Sequence, residues 1–328
     1  MARIVKDQPA SDLPRAEVLK HARTMASPNS PKSLWRLVDG KPGHMKQTSA
    51  LASAIARRAG LTVVDIPAVA GIGAWWDALL ARFPAGSSLP KPALVIGAGH
   101  ATHASLLAAR RATGAPTIVV MSPSVPSGWF DLVVAPRHDG VIDGPRVLTT
   151  RGALAPSPRP GTHDPRRGVI LVGGPSRHFT FDGGTIQSQI SFLVARFQDI
   201  AWTLSTSRRT PNDWLAGVSH APNLTVLSHE STPPGWLEET LADARYACVT
   251  PDSVSMVYEA LTAGCKTVLF AATPIKGSKI AEGISELVRE ERVIAGIPER
   301  DDPRLESSPA PLDEAARCAD VIIERFLR

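Results

Sequence analysis

The segment from Ala247 to Phe270 places polar residues at the start of a predicted helix that lies between two apolar strands. Asp252 stands where a helix N-cap belongs, the residues after it favour a helix up to Ala263, and Gly264 supplies a left-handed stop. The first amides of such a helix have no partner within it and carry the positive end of its dipole. They are therefore suited to a phosphate or a pyrophosphate.

Further side chains of the same helix extend this hypothesis to a whole nucleotide. Ser253 and Ser255 offer hydroxyl donors at the first turn, and Glu259, two turns in, is suited to accept hydrogen bonds from a pair of ribose hydroxyls. Apolar residues at the spacing of a buried stripe are Val254, Val257, Tyr258 and Leu261. The alternative is an ordinary capped helix in which Asp252 satisfies its own backbone and Glu259 is solvated.

Two other strand ends carry residues that suit a phosphate. Gly173 and Gly174 follow an apolar strand that begins at Gly168, and without a Cβ they would let backbone amides approach a phosphate. Arg208 and Arg209 follow the next strand and could grip a diphosphate through bidentate hydrogen bonds. A plain strand-end turn and a solvated arginine pair remain as the alternatives.

His44 is the candidate base in the first half of the chain. It stands in a glycine-containing loop that starts at Asp39, after the apolar strand Leu34 to Val38 and before a helix expected to begin at Gln47. An imidazole titrates close enough to neutrality to take a proton from an acceptor hydroxyl. Asp39, at the same strand end, is a second candidate base. His44 could equally hold the loop by hydrogen bonds or bind an acceptor phosphate.

Four blocks of the sequence carry a resemblance to a known family. They are Val38 to His44 with Gln47, Leu171 to Ser176, Ser205 to Pro211, and the segment Ala247 to Phe270. Together they resemble the nucleotide-sugar signature of GT-B glycosyltransferases and, more closely, the mitochondrial fission "elongated mitochondria" family, whose bacterial members have GT-B-like sequences. The resemblance implies an α/β fold with two facing, doubly wound, Rossmann-like domains, which is the GT-B fold.

The function implied by this resemblance is transfer of a sugar from a nucleoside-diphosphate sugar to an acceptor hydroxyl, such as that of a lipid or cell-envelope glycoconjugate. The donor is expected to be bound by Gly173, Gly174, Ser176, Arg208, Arg209, Asp252, Ser253, Ser255, Met256 and Glu259. Catalysis is expected of His44 and Asp39, and acceptor binding of Lys41, Gly43 and Gln47. No cofactor and no metal ion is expected to be required, because the protein groups would stabilise the departing diphosphate.

Two rival functions remain open. Plant relatives of the resembled family are associated with recruiting a dynamin-like fission protein to mitochondria, so the chain could be a non-catalytic adaptor that binds no nucleoside diphosphate. A non-hydrolysing sugar-nucleotide epimerase also uses a GT-B cleft, and it would convert the free donor with no acceptor present.

The length of 328 residues fits two domains. We expect a flexible N-terminal extension at 1–30, an acceptor domain at 31–155, a nucleotide-sugar-binding domain at 168–310, and a C-terminal helix at 311–328 that packs back on the first domain. The linker is expected at 156–167, because the run APSPRPGTHDPRR is rich in residues that disfavour element interiors.

The composition limits the partners. A net charge of +5 with 5% aromatic residues fits a phosphorylated ligand or an anionic membrane surface, and no nucleic-acid partner is expected because a dense basic stripe with interleaved aromatics is missing from the sequence. No apolar run reaches the roughly 20 residues of a transmembrane span. We therefore expect a cytoplasmic protein that makes at most peripheral contact with the inner membrane.

Two sets of residues are expected in the core. Cys248, Cys265 and Cys318 lack metal-ligand spacing and are expected to be reduced core thiols. Trp75, Trp76 and Phe83 could form an apolar approach surface for a membrane, but we expect them to be buried.

Overall fold

The computed structural model describes residues 32–306 and 310–328, so the extension expected at 1–30 lies outside the described residues. The described strands form two six-stranded sheets in which all neighbours are parallel. The first sheet comprises β1 (Ser33–Val38), β2 (Thr62–Pro67), β3 (Pro92–Ala98), β4 (Thr117–Val120), β5 (Leu132–Pro136) and β6 (Val147–Thr150). The second comprises β7 (Asp164–Leu171), β8 (Ala201–Ser205), β9 (Leu224–Leu227), β10 (Ala244–Val249), β11 (Lys266–Leu269) and β12 (Ile294–Ala295). The expected α/β architecture with two doubly wound sheets is confirmed.

Each sheet has one point at which the chain reverses the direction in which it adds strands. The order of the first sheet is β2-β1-β3-β4-β5-β6, so β1 and β3 flank its switch point. The order of the second is β12-β11-β10-β7-β8-β9, so β7 and β10 flank the other. Ligands of open parallel sheets bind beyond the carboxyl ends of the strands at such points. The topology therefore predicts ligand binding at the loops that follow β1, β3, β7 and β10.

Helices cover both sheets. Those that follow strands of the first sheet are α1 (Pro42–Ala59), α2 (Ile72–Leu79) and α3 (His103–Thr113). Those of the second part are α4 (Gly183–Arg196), α5 (Trp236–Asp243), α6 (Val254–Ala263) and α7 (Lys279–Arg289). The last helix, α8 (Glu314–Phe326), packs on α1 and shares a core with it, since Cys318 and Ile322 lie in the same buried cluster as Leu51 and Ile55. We call residues 32–150 together with α8 the first lobe, and residues 164–306 the second lobe.

Helix α1 begins earlier than the sequence predicts. The expected start was Gln47, whereas the observed start is Pro42, with Gly60 ending the helix at a φ of 65°. Proline is favoured in the first turn because its missing N–H would have no partner there and its φ already suits a helix. His44 therefore lies in the first turn of a helix and not in a loop.

Helix α6 ends as expected but begins differently. Gly264 closes it at a φ of 86°. The N-cap is Ser253 and not Asp252, because the carboxylate of Asp252 is engaged by other strand-end loops, as described below. The expected stripe packs inward, and Glu259, on another face, is also buried, so the alternative of a solvated Glu259 is wrong.

Other boundaries and burial assignments also differ. Strand β7 begins at Asp164 and not at Gly168, so the last residues of the expected linker are strand. Helices α2 and α7 and strand β12 were not predicted. Trp75 and Trp76 are exposed while Phe83 is buried, so the expectation of a core position is wrong for the two tryptophans. Helix α2 buries its small residues Ala74 and Ala78 instead.

The three cysteines are buried thiols, as expected. Burial raises the pKa of Cys265 and of Cys318 to about 12 and raises that of Cys248 as well. They are packing residues that stay protonated at neutral pH.

Gly168 provides a test of the packing between β7 and β8. A Cβ added there would lie 2.3 Å from the ring of Trp202, which is itself buried. We expect Gly168→Ala to lower the free energy of unfolding by about 1–3 kcal/mol, because the indole has no room to move away. Urea denaturation measures the change. Gly144→Ala is the matched control, since a Cβ there meets nothing within 4 Å; equal stability of the two variants would contradict the packing argument.

Candidate functional site

A cavity of about 880 Å³ lies between the two lobes, at the carboxyl ends of their strands. The first lobe lines it with the start of α1, through Pro42, Gly43, Lys46 and Gln47. The second lobe contributes the loops after β7, β8 and β10, through residues that include Ser176, Arg177, Ser205, Thr206, Ser207, Arg208, Asp252, Ser253, Ser255, Met256 and Glu259. The cleft thus brings together most of the donor residues expected from the sequence.

The carboxylate of Asp252 ties together the ends of three adjacent strands. Its Oδ2 accepts from the amide of Gly174 at 2.8 Å, in the loop after β7. The same oxygen accepts from Nη2 of Arg209 at 2.8 Å, in the loop after β8. Asp252 itself follows β10, so one buried side chain fixes the switch point of the second lobe.

The glycine loop and Arg209 complete this network. Arg209 Nη1 donates to the carbonyls of Gly174 and Pro175 at 2.9 and 3.0 Å, and the amide of Gly173 donates to Thr250 Oγ1 at 2.7 Å. A Cβ on Gly173 would lie 2.1 Å from Asp252 Oδ2. The two glycines therefore permit close packing, and their amides are already engaged, so the sequence argument that these amides approach a phosphate does not hold in this arrangement.

The start of α6 differs, because its first residues line the cavity and no side chain caps its amides. Ser253 is the N-cap residue, and its hydroxyl caps no amide of the described chain. Val254, Ser255 and Met256 supply the first turn and line the cavity. The first amides of a helix have no acceptor within it, and they carry the positive end of its dipole. This end of α6 can therefore hold an anion.

Glu259 is the buried acid of the cleft, with 5% of its surface exposed. Lys46 Nζ, from the opposite lobe, lies 2.7 Å from Glu259 Oε2 and forms an ion pair with it across the cleft. Burial raises the pKa of Glu259, and the positive charge of Lys46 offsets part of that effect. A carboxylate has about four acceptor sites, so its contact with Lys46 leaves capacity to accept hydrogen bonds from a ligand.

The charge of the cavity lining is positive. Four cationic side chains, Lys46, Arg177, Arg208 and Arg209, stand against two carboxylates, Asp252 and Glu259. Arg209 is engaged by Asp252, whereas Arg208 is exposed to the cavity. An excess of two positive charges in a concave site favours a ligand with the charge of a diphosphate diester.

His44 and Asp39 form a pair at the switch point of the first lobe. His44 Nδ1 lies 2.7 Å from Asp39 Oδ2, and the imidazole packs against Gly99, which follows β3. Burial raises the pKa of Asp39, but the hydrogen bond of His44, the amide of Lys41 and the charges of both residues outweigh it, so that the pKa lies below its ordinary value. The anionic carboxylate favours a proton on Nδ1 and leaves Nε2 as the acceptor.

The other first-lobe residues expected at the site divide into two groups. Gly43 and Gln47 line the cavity, whereas Asp39, Lys41 and His44 are not among its described lining residues. Gln47 Oε1 also accepts from the amide of Leu154 at 3.3 Å, which ties α1 to the segment between the lobes. The pair Asp39 and His44 therefore lies at the same edge of the sheet but outside the lining of this cavity.

Sequence reasoning missed several lining residues. They are Lys46, Arg177, His229, Thr232, Trp236, Leu237 and Ile280. Lys46 lies between two residues that were selected, but its partner Glu259 is in the other lobe. The available signal would have been a search for a cationic residue to pair with Glu259, the acid expected to bind the ribose.

The chain resembles known proteins over most of its length. A family model described as mitochondrial fission ELM1 matches residues 42–326. An uncharacterized protein of Rickettsia prowazekii (strain Madrid E) is 23% identical over 350 residues, which cover 88% of this chain and 97% of that protein.

Solved structures agree on the architecture. A UDP-N-acetylglucosamine 2-epimerase has a TM-score of 0.55 at 13% identity, with 91% of this chain and 97% of the other covered. S. aureus MnaA in a co-structure with UDP has a TM-score of 0.51 at 12% identity, covering 90% and 97%. The glycotransferase of kitacinnamycin has a TM-score of 0.51 at 15% identity, covering 90% and 99%. At these identities the likeness shows the fold, which is that of GT-B glycosyltransferases and epimerases.

Replacing Asp252 tests whether its carboxylate is structural. We expect Asp252→Ala to lower the free energy of unfolding by about 1–3 kcal/mol, because the buried amide of Gly174 would lose its partner. Urea denaturation provides the measurement. Asp243→Ala is the control, since it breaks an exposed pair with Arg167 and should cost less than about 1 kcal/mol. Unchanged stability of Asp252→Ala would mean that the carboxylate serves a ligand and not the scaffold.

Proposed function

Since the chain belongs to the mitochondrial fission ELM1 family and has the GT-B fold, we propose that it is a glycosyltransferase that moves a sugar from a nucleoside-diphosphate sugar to an acceptor hydroxyl. The observation that carries the proposal is Glu259, a buried acid that pairs with Lys46 of the other lobe and lines a positively charged cavity beside the uncapped start of α6. A nucleotide supplies both groups that these features lack, namely an anion and neighbouring hydroxyl donors.

The diphosphate would lie at the start of α6. The amides of its first turn, the hydroxyls of Ser253 and Ser255 and the guanidinium of Arg208 line this part of the cavity. Negative charge grows on the departing diphosphate in the transition state, so these donors would bind the transition state more strongly than the ground state. Gly173, Gly174, Arg209 and Asp252 would hold the loops in position, and Ser176 and Met256 would complete the wall.

The ribose would lie against Glu259. Two vicinal hydroxyls would donate charge-assisted hydrogen bonds to the carboxylate, which lowers the cost of keeping it charged when buried. Lys46 would then be released from its ion pair with Glu259 and could approach a phosphate, since both residues line the same cavity.

The acceptor would be activated by His44. Asp39 orients the imidazole so that Nε2 is free to take the proton of an acceptor hydroxyl, and the pair lies at the switch point between β1 and β3. Lys41, Gly43 and Gln47 would form the neighbouring acceptor site. The acceptor must therefore reach from the imidazole of His44 to the cavity that holds the donor.

The protein groups of the cleft would neutralise the diphosphate, so the proposed reaction needs no metal ion or other cofactor. A cytoplasmic enzyme peripheral to the inner membrane, acting on a lipid or cell-envelope acceptor, fits this proposal. No helix within residues 32–306 or 310–328 is long and apolar enough to cross a bilayer.

Two outcomes would replace the proposal. The likeness of the fold to that of a UDP-N-acetylglucosamine 2-epimerase supports an epimerase, which would change the sugar of the free donor with no acceptor present. A non-catalytic adaptor would bind no nucleotide sugar. A thermal-shift panel of nucleoside diphosphates and their sugars, followed by product analysis with and without acceptor, separates the three functions.

Glu259→Ala tests the donor site. We expect the affinity for the best nucleoside diphosphate of the panel to fall by about 2 kcal/mol, roughly thirtyfold, through loss of charge-assisted hydrogen bonds. Isothermal titration calorimetry measures it. Glu259→Gln keeps the shape and removes a charge that burial disfavours, so it should fold normally and bind with intermediate affinity. Glu239→Ala, on the exposed side of α5, is the control, and equal affinities of all these proteins would remove Glu259 from the site.

His44→Ala tests the base. We expect turnover to fall by about 10²–10⁴-fold while donor affinity is retained, because the imidazole acts on the acceptor. The measurement is release of nucleoside diphosphate from the best-binding sugar donor, with a membrane glycolipid extract as acceptor. His220→Ala, an exposed histidine of the second lobe, should behave as the unmodified protein. Undiminished turnover in His44→Ala would assign the proton transfer to another group.

A further inference from the structure

Helix α2 turns its large apolar side chains outward. The exposed fractions are 79% for Ile72, 40% for Trp75, 57% for Trp76, 58% for Leu79 and 54% for Leu80. Their spacing of i, i+3, i+4, i+7 and i+8 places them on one face of the helix. Ala74 and Ala78, on the inward face, are buried where α2 packs against α3. The apolar stripe that a helix normally packs against a core is therefore exposed on the surface of the protein.

A neighbouring tryptophan makes this surface continuous. Trp129, 44% exposed, packs edge-on against Trp75 with ring centroids 6.1 Å apart. Between α2 and α3 lies a hollow of about 710 Å³, whose lining includes Trp75, Leu79, Leu107 and Trp129. We call the surface of Ile72, Trp75, Trp76, Leu79, Leu80 and Trp129 the α2 apolar face.

The rim of the α2 apolar face is basic. Arg110 and Arg111 line the hollow. Arg82 follows shortly after α2 in the sequence, and Arg146 Nη1 donates to the carbonyl of Gly128, the residue before Trp129, at 2.8 Å. Asp77 and Asp131 pair with two of these arginines. The four arginines outnumber the two aspartates by two charges, and this positive excess suits a negatively charged partner.

We propose that the α2 apolar face docks the first lobe on a membrane surface that contains anionic phospholipids. Tryptophan is favoured at the boundary between headgroups and acyl chains, because its ring is apolar and its N–H is polar. A short helix with large apolar residues outward and arginines at its rim suits an in-plane position at that boundary. The arginines would meet lipid phosphates.

A second copy of the chain fits this surface less well. A stable dimer interface uses roughly 20–30 residues from each partner, which exceeds one short helix and a single added tryptophan. The charged rim would also place arginines of one copy against those of the other. Docking needs no sugar donor, so it can be tested separately from the proposed transferase activity.

The test is co-sedimentation of the purified full chain with vesicles. One set contains phosphatidylcholine alone, and the other phosphatidylcholine with about one third phosphatidylglycerol. We expect binding to the anionic vesicles that weakens with added salt, and at least tenfold weaker binding to the neutral ones. The double variant Ile72→Glu with Trp76→Glu should lose at least tenfold in binding to anionic vesicles.

The control is Ile142→Glu, at an apolar residue of the first lobe that is 85% exposed and lies outside the α2 apolar face. It should bind vesicles as the unmodified chain does, and all variants should keep the same unfolding midpoint. Unimpaired binding by the double variant, or no binding of the unmodified chain at low salt, would overturn the proposal. So would a concentration-dependent dimer in light scattering that the double variant abolishes, because the occupant would then be a second copy.

Discussion

The candidate site depends on one buried carboxylate that joins three strand ends. Asp252 accepts from the amide of Gly174 and from Arg209, so the loops after β7, β8 and β10 cannot move independently. The glycines allow this approach, because a Cβ on Gly173 would collide with the carboxylate. Since Asp252 is engaged in this way, it does not cap α6. The helix start is thereby left open toward the cleft, and the same constraint that builds the scaffold also frees the amides that can hold an anion.

The contact between the lobes has a different character. Glu259 is buried, and burial raises its pKa, so its charge is tolerated because Lys46 of the other lobe lies beside it. An ion pair in a low-dielectric cleft gains from Coulomb attraction but loses the hydration of both groups. A ligand with hydroxyl donors and a negative charge can satisfy Glu259 and Lys46 separately, so binding and lobe arrangement are coupled through these two side chains.

Local signals were enough to predict the alternation of strands and helices, the stop of α6 at Gly264 and the clustering of strand-end loops, because each depends on nearby residues and on parallel topology. They failed where a distant partner competes. Asp252 is a good N-cap by local rules, yet Arg209 and Gly174 take its carboxylate. The position of Lys46 beside Glu259 depends on how two lobes meet, which no periodicity encodes. Helix α7 was missed although Ala281, Ile284 and Leu287 are buried along one side, so the signal was present there and not used.

Helix α2 was not predicted, and its Trp75 and Trp76 were expected in the core, whereas the structure exposes both side chains. Burying a large apolar side chain contributes roughly 1.5–3 kcal/mol, so a helix that buries Ala74 and Ala78 while exposing Trp76 and Ile72 forgoes stabilisation that the reverse orientation would give. Helix α8 shows the ordinary arrangement, with Ile322 buried against α1. The protein would gain that free energy if the exposed side chains of α2 entered an external apolar phase. Helix α2 follows β2 in the lobe that carries His44. Contact of α2 with an apolar phase would therefore place that phase next to the lobe in which we propose that the acceptor binds.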